Sequence, residues 1–458
     1  MKKRGYRVER DSLGEVRVPE EALYGAQTQR ALENFPISGI TFPRAFLRAL
    51  GLIKWAAARA NMEAGILDRE TGRAVEAAAM DVAEGKWDAQ FPLDVYQTGS
   101  GTSVNMNANE VIAALASRAL GRPVHPNDQV NMSQSSNDVV PSAIHVSSAL
   151  SLEEKLVPSL DFLEEVLEKK ASRLMDVIKT GRTHLMDALP LRMGREIEAW
   201  AHQVRLSADR VRDVRPRLFQ LVLGGTAVGT GLNAPPGFGE RASALLAEAT
   251  GIPFRKADNL YAGIAGQETV LELGSQLGVL AAALAKICND LRWMNSGPLA
   301  GLSEISLPAL QPGSSIMPGK VNPVIPEAAA MACARVTGNV TTLALAAQSG
   351  NFQLNVMLPL AAHVLLESLT LLSNSARLLA EKAVRGFTVN RKRLASLLDK
   401  NPVLATALNP ILGYEKAAEL AKKALREGKT ILDAAAGETD IPREKLEDLL
   451  DPGKIAGP

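Results

Sequence analysis

Aromatic residues make up only 4% of this 458-residue chain. That scarcity argues against a β-sandwich, where aromatic and β-branched side chains dominate. Cysteine occurs twice, at Cys288 and Cys333, both within apolar stretches of helical character. Two thiols cannot supply the three or four ligands of an iron–sulfur cluster, and buried thiols in a reducing compartment are expected instead. An excess of one charge is also missing: 51 Lys and Arg stand against 50 Asp and Glu, a formal net charge of +1. No tail or block carries a strong single sign, which argues against nucleic acid or an anionic membrane as the main partner. The start, MKKRGYRVERDSLGEV, has basic residues but no apolar run behind them, so it does not read as a signal peptide. No segment is expected to have the apolar length to span a bilayer, and a cytoplasmic location is the expectation.

What is abundant is alanine and leucine within a 46% hydrophobic composition. That favours helix-on-helix packing, a mainly α fold, and enough chain for two or three domains. Residues 1–138 are broken often by Gly, Pro and Asn and read as a mixed, mostly helical first domain. From 139 to 386 the pattern turns to long amphipathic runs, at 143–175, 189–223, 262–295, 324–348 and 352–384, which predict a central bundle of five long helices. Residues 387–458 return to short charged helices and read as a small third domain. A helix of about thirty residues is about 45 Å long, more than a small monomeric core covers. The run Gly274 to Lys286 is apolar nearly all round and reads as the centre of an oligomeric bundle rather than a membrane span.

Between these helices lie polar, glycine-rich breaks. Gly313 to Pro323 reads GSSIMPGKVNP, whose two glycines and two prolines exclude a regular helix. A phosphate loop needs four residues between its glycines and Ser or Thr after the lysine; five intervene here and Val321 follows. GTGLNA from Gly229 fits the dinucleotide fingerprint formally but has no strand–turn–helix around it, so a turn region is expected there. Of the five histidines, His125, His145, His184, His202 and His363, none lies in a spaced metal-ligand cluster, and no metal is expected. His145, His202 and His363 sit in helical patterns; His184, in GRTHLMDALP, sits in a loop ahead of a long helix, where chemistry concentrates. The stretches Gly99 to Asn107 and Asn131 to Asp138 are rich in Ser, Thr and Asn. They suit either carboxylate binding by neutral hydrogen bonds or helix capping.

Taken together these motifs resemble a known family. GSSIMPGKVNP resembles the signature of the class II fumarase, aspartase and argininosuccinate lyase superfamily. QTGSGT, HPND, QSSND, GRTHLMD and NPVLATALN resemble class II fumarase in order and spacing over nearly the whole chain. The resemblance implies a mainly α, three-domain fold whose five long helices join into a tetrameric helical core. It implies a carbon–oxygen lyase that adds water to fumarate to give L-malate in anti geometry, by acid–base chemistry without metal or cofactor. Ser314 is implied as the base toward the carbon proton, with His184 on the opposite face and Glu327 behind it. Ser315, Lys320, Val321 and Asn322 are implied as substrate contacts, as are Ser100, Gly101, Thr102, Ser135, Ser136, Asn137 and Thr183. The stretch His125, Pro126, Asn127 and Asp128 resembles a secondary anion site. The implied partners are a small dicarboxylate substrate and three further copies of the chain, with each site assembled from three subunits.

Aspartate ammonia-lyase shares the signature and is the alternative enzyme. Ser136, Met186 and Gly319 lean toward fumarase, whereas Val324-Ile325-Pro326 looks more like aspartase. A catalytically silent relative, as among lens crystallins of the superfamily, is the non-enzyme alternative; the intact set of Ser314, Lys320 and His184 speaks against it.

Overall fold

The alanine- and leucine-rich runs fold as helices, and the protein is mainly α-helical with five two-stranded ladders among the described residues. The computed structural model describes residues 5–457. The chain divides into two compact units, each built from separated segments.

The first unit contains the residues up to Pro158, Asp209–Ala281 and Ala334–Ser373. It opens with an antiparallel hairpin, Tyr6–Asp11 paired with Gly14–Pro19. The helices Arg44–Glu63 and Arg69–Ala83 pack closely because Gly51 has no side chain: a Cβ there would lie 2.5 Å from the Ala83 nitrogen. Asp68 starts the second of these by accepting a hydrogen bond from the Thr71 N–H. The helices Thr102–Leu120 and Ser136–Ser151 follow, each beginning inside one of the polar stretches.

The second unit contains Ser159–Ala208, Ala282–Cys333 and the residues from Asn374 on. An antiparallel hairpin, Ile178–Thr183 with Met186–Arg192, precedes the helix Met193–Arg212. Leu404, Leu408, Leu420, Ile431, Leu446 and Leu450 form a hydrophobic core of their own near the C-terminus.

Several expected boundaries shift. The run expected from 189 divides, because Met186–Arg192 pairs as a strand and the helix ends at Arg212. The run expected from 262 begins at Glu268, because Gly266 is extended and closes the short helix Leu260–Ala265. The run from 143 begins at Ser136 and continues to Arg173 through a widened π turn at Leu152–Leu156, just ahead of Pro158, which lacks an N–H. The polar residues 102–110 belong to the helix Thr102–Leu120.

Length does not exclude a membrane for the run Gly274 to Lys286, because it lies within a longer helix, Glu268–Met294. That helix has 27 residues and an apolar window of mean hydropathy 1.5, long and apolar enough to cross a bilayer, and 44% of the window is buried within the chain itself. Leu273, Leu277, Leu280, Leu284, Ile287 and Leu291 are buried on one side, while Val279 is 44% exposed. Cys288 and Cys333 are buried free thiols, as expected, and burial pushes them up to about 12 and about 11.

Candidate active site

Two helix N-termini meet in the first unit. Gly101 caps the helix Thr102–Leu120 at φ 75°, a conformation that glycine adopts without strain, and a Cβ there would press on Val140 at 2.8 Å. Ser135 caps the helix Ser136–Ser151 through a capping box: its hydroxyl accepts from the Asn137 N–H at 3.2 Å, and its own N–H donates to Asp138 Oδ1 at 2.9 Å. A chain of hydroxyls joins the two ends. Ser100 Oγ lies 2.8 Å from Thr102 Oγ1, which lies 2.8 Å from Ser136 Oγ. The Asn137 amide donates to the Ala227 carbonyl at 2.8 Å. Free N–H groups, positive helix ends and hydroxyl donors make a place for a carboxylate. The polar stretches are therefore caps and, by the same geometry, candidate anion contacts.

Behind this turn lies a group that no motif announced. Lys54 is wholly buried, and its ammonium donates to Asn131 Oδ1 at 3.0 Å and Gln134 Oε1 at 2.9 Å. Asn131 also accepts from Asn105 and Asn109, so one amide oxygen ties two helices, Arg44–Glu63 and Thr102–Leu120, to the loop that leads into Ser135. Asp138, also buried, uses its second oxygen to accept from the Gly224 and Thr226 N–H groups at 3.1 and 2.9 Å. Burial pushes Lys54 down to about 7 and Asp138 up to about 6, each partly opposed by the other's charge. The one signal in the sequence was a lone lysine inside the apolar run GLIKWAAA.

His125, Pro126, Asn127 and Asp128 belong to the same unit. The Asp128 N–H donates to His125 Nδ1 at 3.2 Å, and Pro126 opens a π turn to Val130. A cavity of about 970 Å³ reaches from Thr98 and Thr102 to His125, Pro126 and Asn127, with Arg7 and Arg30 in its wall.

In the second unit His184 stands at a hairpin tip rather than in an irregular loop. Thr183 pairs with Met186, leaving His184 and Leu185 as a two-residue turn with φ of 54° and 60°. Positive φ at both central positions is the type I′ pattern, usually filled by Asn and Gly, so a histidine there is strained. Residues 183 to 187 are all exposed. Below the tip, Arg182 meets Glu304 and the Asn401 amide donates to the Ala188 carbonyl at 2.8 Å. Asn401 opens the NPVLATALN motif, and this bond is its structural use.

The segment Gly313 to Pro323 is a loop, as its glycines and prolines require. It pinches where Gly313 meets Lys320: a Cβ on Gly313 would sit 1.2 Å from the Lys320 carbonyl oxygen. Ser314 Oγ accepts from the Ile316 and Met317 N–H groups at 3.2 and 3.1 Å. Two donors aimed at that oxygen favour its anionic form, which is what a serine base needs. Lys320 Nζ donates to Asn322 Oδ1 at 2.9 Å, and both are accessible to a ligand; Ser315 and Val321 are exposed beside them. Among the described residues, no hydrogen bond or ion pair within the chain joins His184 to Ser314 or to Glu327, which lies in the first turn of the helix Val324–Ala347. Nor does any group of three or more His, Cys, Asp or Glu among the described residues form a metal cage.

Comparison with known proteins decides the family. Residues 14–338 match the lyase family, and residues 404–457 match the fumarase C C-terminus. A class II fumarate hydratase of Xylella fastidiosa is 56% identical over 450 residues, covering 98% of this chain and 95% of that protein. The chain belongs to the class II fumarate hydratase family. A second relative, class II fumarate hydratase 2 of Pseudomonas aeruginosa, is 57% identical over 449 residues and 98% of each chain. The crystal structure of recombinant class II fumarase from Schistosoma mansoni superposes with a TM-score of 0.96 at 39% identity, covering 99% of this chain and 100% of that one. A fumarate lyase:delta crystallin from Brucella melitensis, solved bound to cobalt, gives 0.94 at 43% identity, with 99% and 100% coverage. The mainly α fumarase/aspartase-like fold read from the sequence is thus the fold of the chain, and the enzyme class is that of a lyase.

Proposed function

We propose that this protein is a fumarate hydratase, interconverting fumarate and L-malate, and that membership of the class II family over nearly its whole length is the observation that carries the reading. In the dehydrating direction Ser314 removes the proton from the carbon beside a carboxylate. The extra charge spreads into that carboxylate, where Lys320, Asn322 and freed backbone N–H groups hold it. His184, its tautomer set by Glu327, hands a proton to the departing hydroxyl on the opposite face. Ser100, Gly101, Thr102, Ser135, Ser136, Asn137, Thr183, Ser315 and Val321 orient the dicarboxylate. His125, Pro126, Asn127 and Asp128 make a secondary anion site. The reaction needs no metal or cofactor.

The same reading includes a homotetramer with active sites shared between subunits. Apolar side chains left open on the long helices support it, such as Met331 and Leu345 at 68% and 58% exposure. It also includes a three-part division at about residues 138 and 386, a cytoplasmic location, and no nucleic acid or membrane partner. Aspartate ammonia-lyase is the second reading, favoured by Val324-Ile325-Pro326 alone. Purified protein should deplete the ultraviolet absorbance of fumarate, unchanged by a chelator. Faster release of ammonia from L-aspartate than hydration of fumarate would make it an aspartase.

A further inference from the structure

Glu304 is completely buried, on the segment between the helix Glu268–Met294 and the loop that carries Ser314 and Lys320. Its backbone is held at both ends: its N–H donates to the Met294 carbonyl at 2.8 Å, and its carbonyl accepts from the Asn390 N–H at 2.9 Å. The next two residues, Ile305 and Ser306, pair with Val389 and Thr388. The carboxylate faces two cations, Arg182 Nη1 at 2.5 Å from Oε1 and Lys179 Nζ at 2.5 Å from Oε2. Lys179 is itself buried and reaches Glu196 at 2.8 Å.

A buried ion cluster is a poor source of stability, since apolar side chains of the same volume often serve as well. What it supplies is a fixed geometry, and its position says of what. Arg182 directly precedes Thr183 and His184, and every residue from 183 to 187 is exposed. Gly181 lets the strands close up there, since a Cβ would lie 2.7 Å from the Leu189 carbonyl. The Thr183–Met186 pair closes the tip and the Asn401 amide holds the returning strand at Ala188, and Arg182 is the last side chain of the outgoing strand with a buried partner before the strained turn.

We propose that Glu304 is a positioning residue: through Arg182 and Lys179 it ties the His184 hairpin to the segment that leads into the Ser314 loop, so that one buried carboxylate bears on the placement of both. The chemical part of this inference rests on the roles given above to His184 and Ser314; the mechanical part does not.

Glu304→Gln removes the charge that faces both the buried Lys179 and the half-buried Arg182 and risks misfolding, so the test uses Arg182→Gln, which keeps the Glu304–Lys179 pair. Hydrogen exchange of the assembled protein should quicken in peptides covering residues 178–192 and 305–323 and stay unchanged elsewhere. The variant's kcat for fumarate hydration should fall about tenfold or more, with KM changed far less, because misplacement penalises the reacting geometry more than ground-state binding. Arg182→Lys, which restores the charge, should recover part of both. Exchange unchanged in both loops overturns the proposal, as does a loss spread evenly over the protein. If Arg182→Gln fails to assemble, the same readouts on Arg182→Lys decide. A wild-type protein inactive on fumarate defeats the proposed function, while the exchange data still judge the tie.

Discussion

Thr102 Oγ1 lies 2.8 Å from Ser136 Oγ, joining the first turns of two helices that start 34 residues apart. Neither hydroxyl is needed to cap its own helix, since Ser135 does that for the second and Gly101 stands at the start of the first. The pair therefore fixes the spacing of two positive helix ends. Thr102→Val should raise KM for fumarate about tenfold, equivalent to about 1.4 kcal/mol, while kcat changes little. Steady-state kinetics on the folded variant checks this, and an unchanged KM removes Thr102 from the binding site.

Gly313→Ala should abolish most activity without unfolding the protein. Its new methyl would occupy the space of the Lys320 carbonyl oxygen, so the pinch must open and Ser314 and Lys320 must part. A loss of about 10²-fold or more in kcat, with an unaltered circular dichroism spectrum, is expected. Near-normal turnover would mean that the pinched loop is not the working arrangement.

Ser314→Ala and His184→Asn should each lose about 10²- to 10⁴-fold in kcat, the usual worth of a general acid or base. Among the described residues no hydrogen bond or ion pair joins these two within one chain, and on the proposed sharing of sites between subunits the two inactive proteins should complement when unfolded together and refolded. Some sites in a mixed oligomer would then receive both wild-type groups. Mixed oligomers seen by mass but no more active than the parents would place both groups on one chain.

Stability should depend on pH through Lys54. Its folded value is lowered from 10.5 to about 7 by burial. Between those values the unfolded chain holds a proton that the folded chain has released, so unfolding takes up a proton. This group's contribution to stability therefore rises with pH over that window. Asp138, raised from 3.8 to about 6, acts in the opposite sense at lower pH, its contribution falling as pH climbs through that range. Urea midpoints of the wild type should gain on those of Lys54→Met between about pH 7.5 and about pH 9.5. A difference that does not change with pH would show that Lys54 keeps its proton in the folded protein.

The helical character was legible along the chain, because alanine and leucine periodicity is local and needs no partner to be read. The loop at Gly313 to Pro323 was legible too, since glycine and proline act on their own backbone, whereas the stretch Asn131 to Asp138 was open to either capping or carboxylate binding. Helix starts at Met193 and Glu268 were not legible, because strand pairing by Met186–Arg192 and an extended Gly266 depend on neighbours. His184 was visible as a loop residue. Its place on a two-residue turn with positive φ was not, since neither His nor Leu asks for that conformation. Least visible were Lys54 and Glu304, which carry no motif of their own. Their partners lie 77 or more residues away, at Asn131 and Gln134 for one and at Arg182 and Lys179 for the other. A charge enters the interior only where distant elements converge to meet it, and that convergence belongs to the tertiary structure.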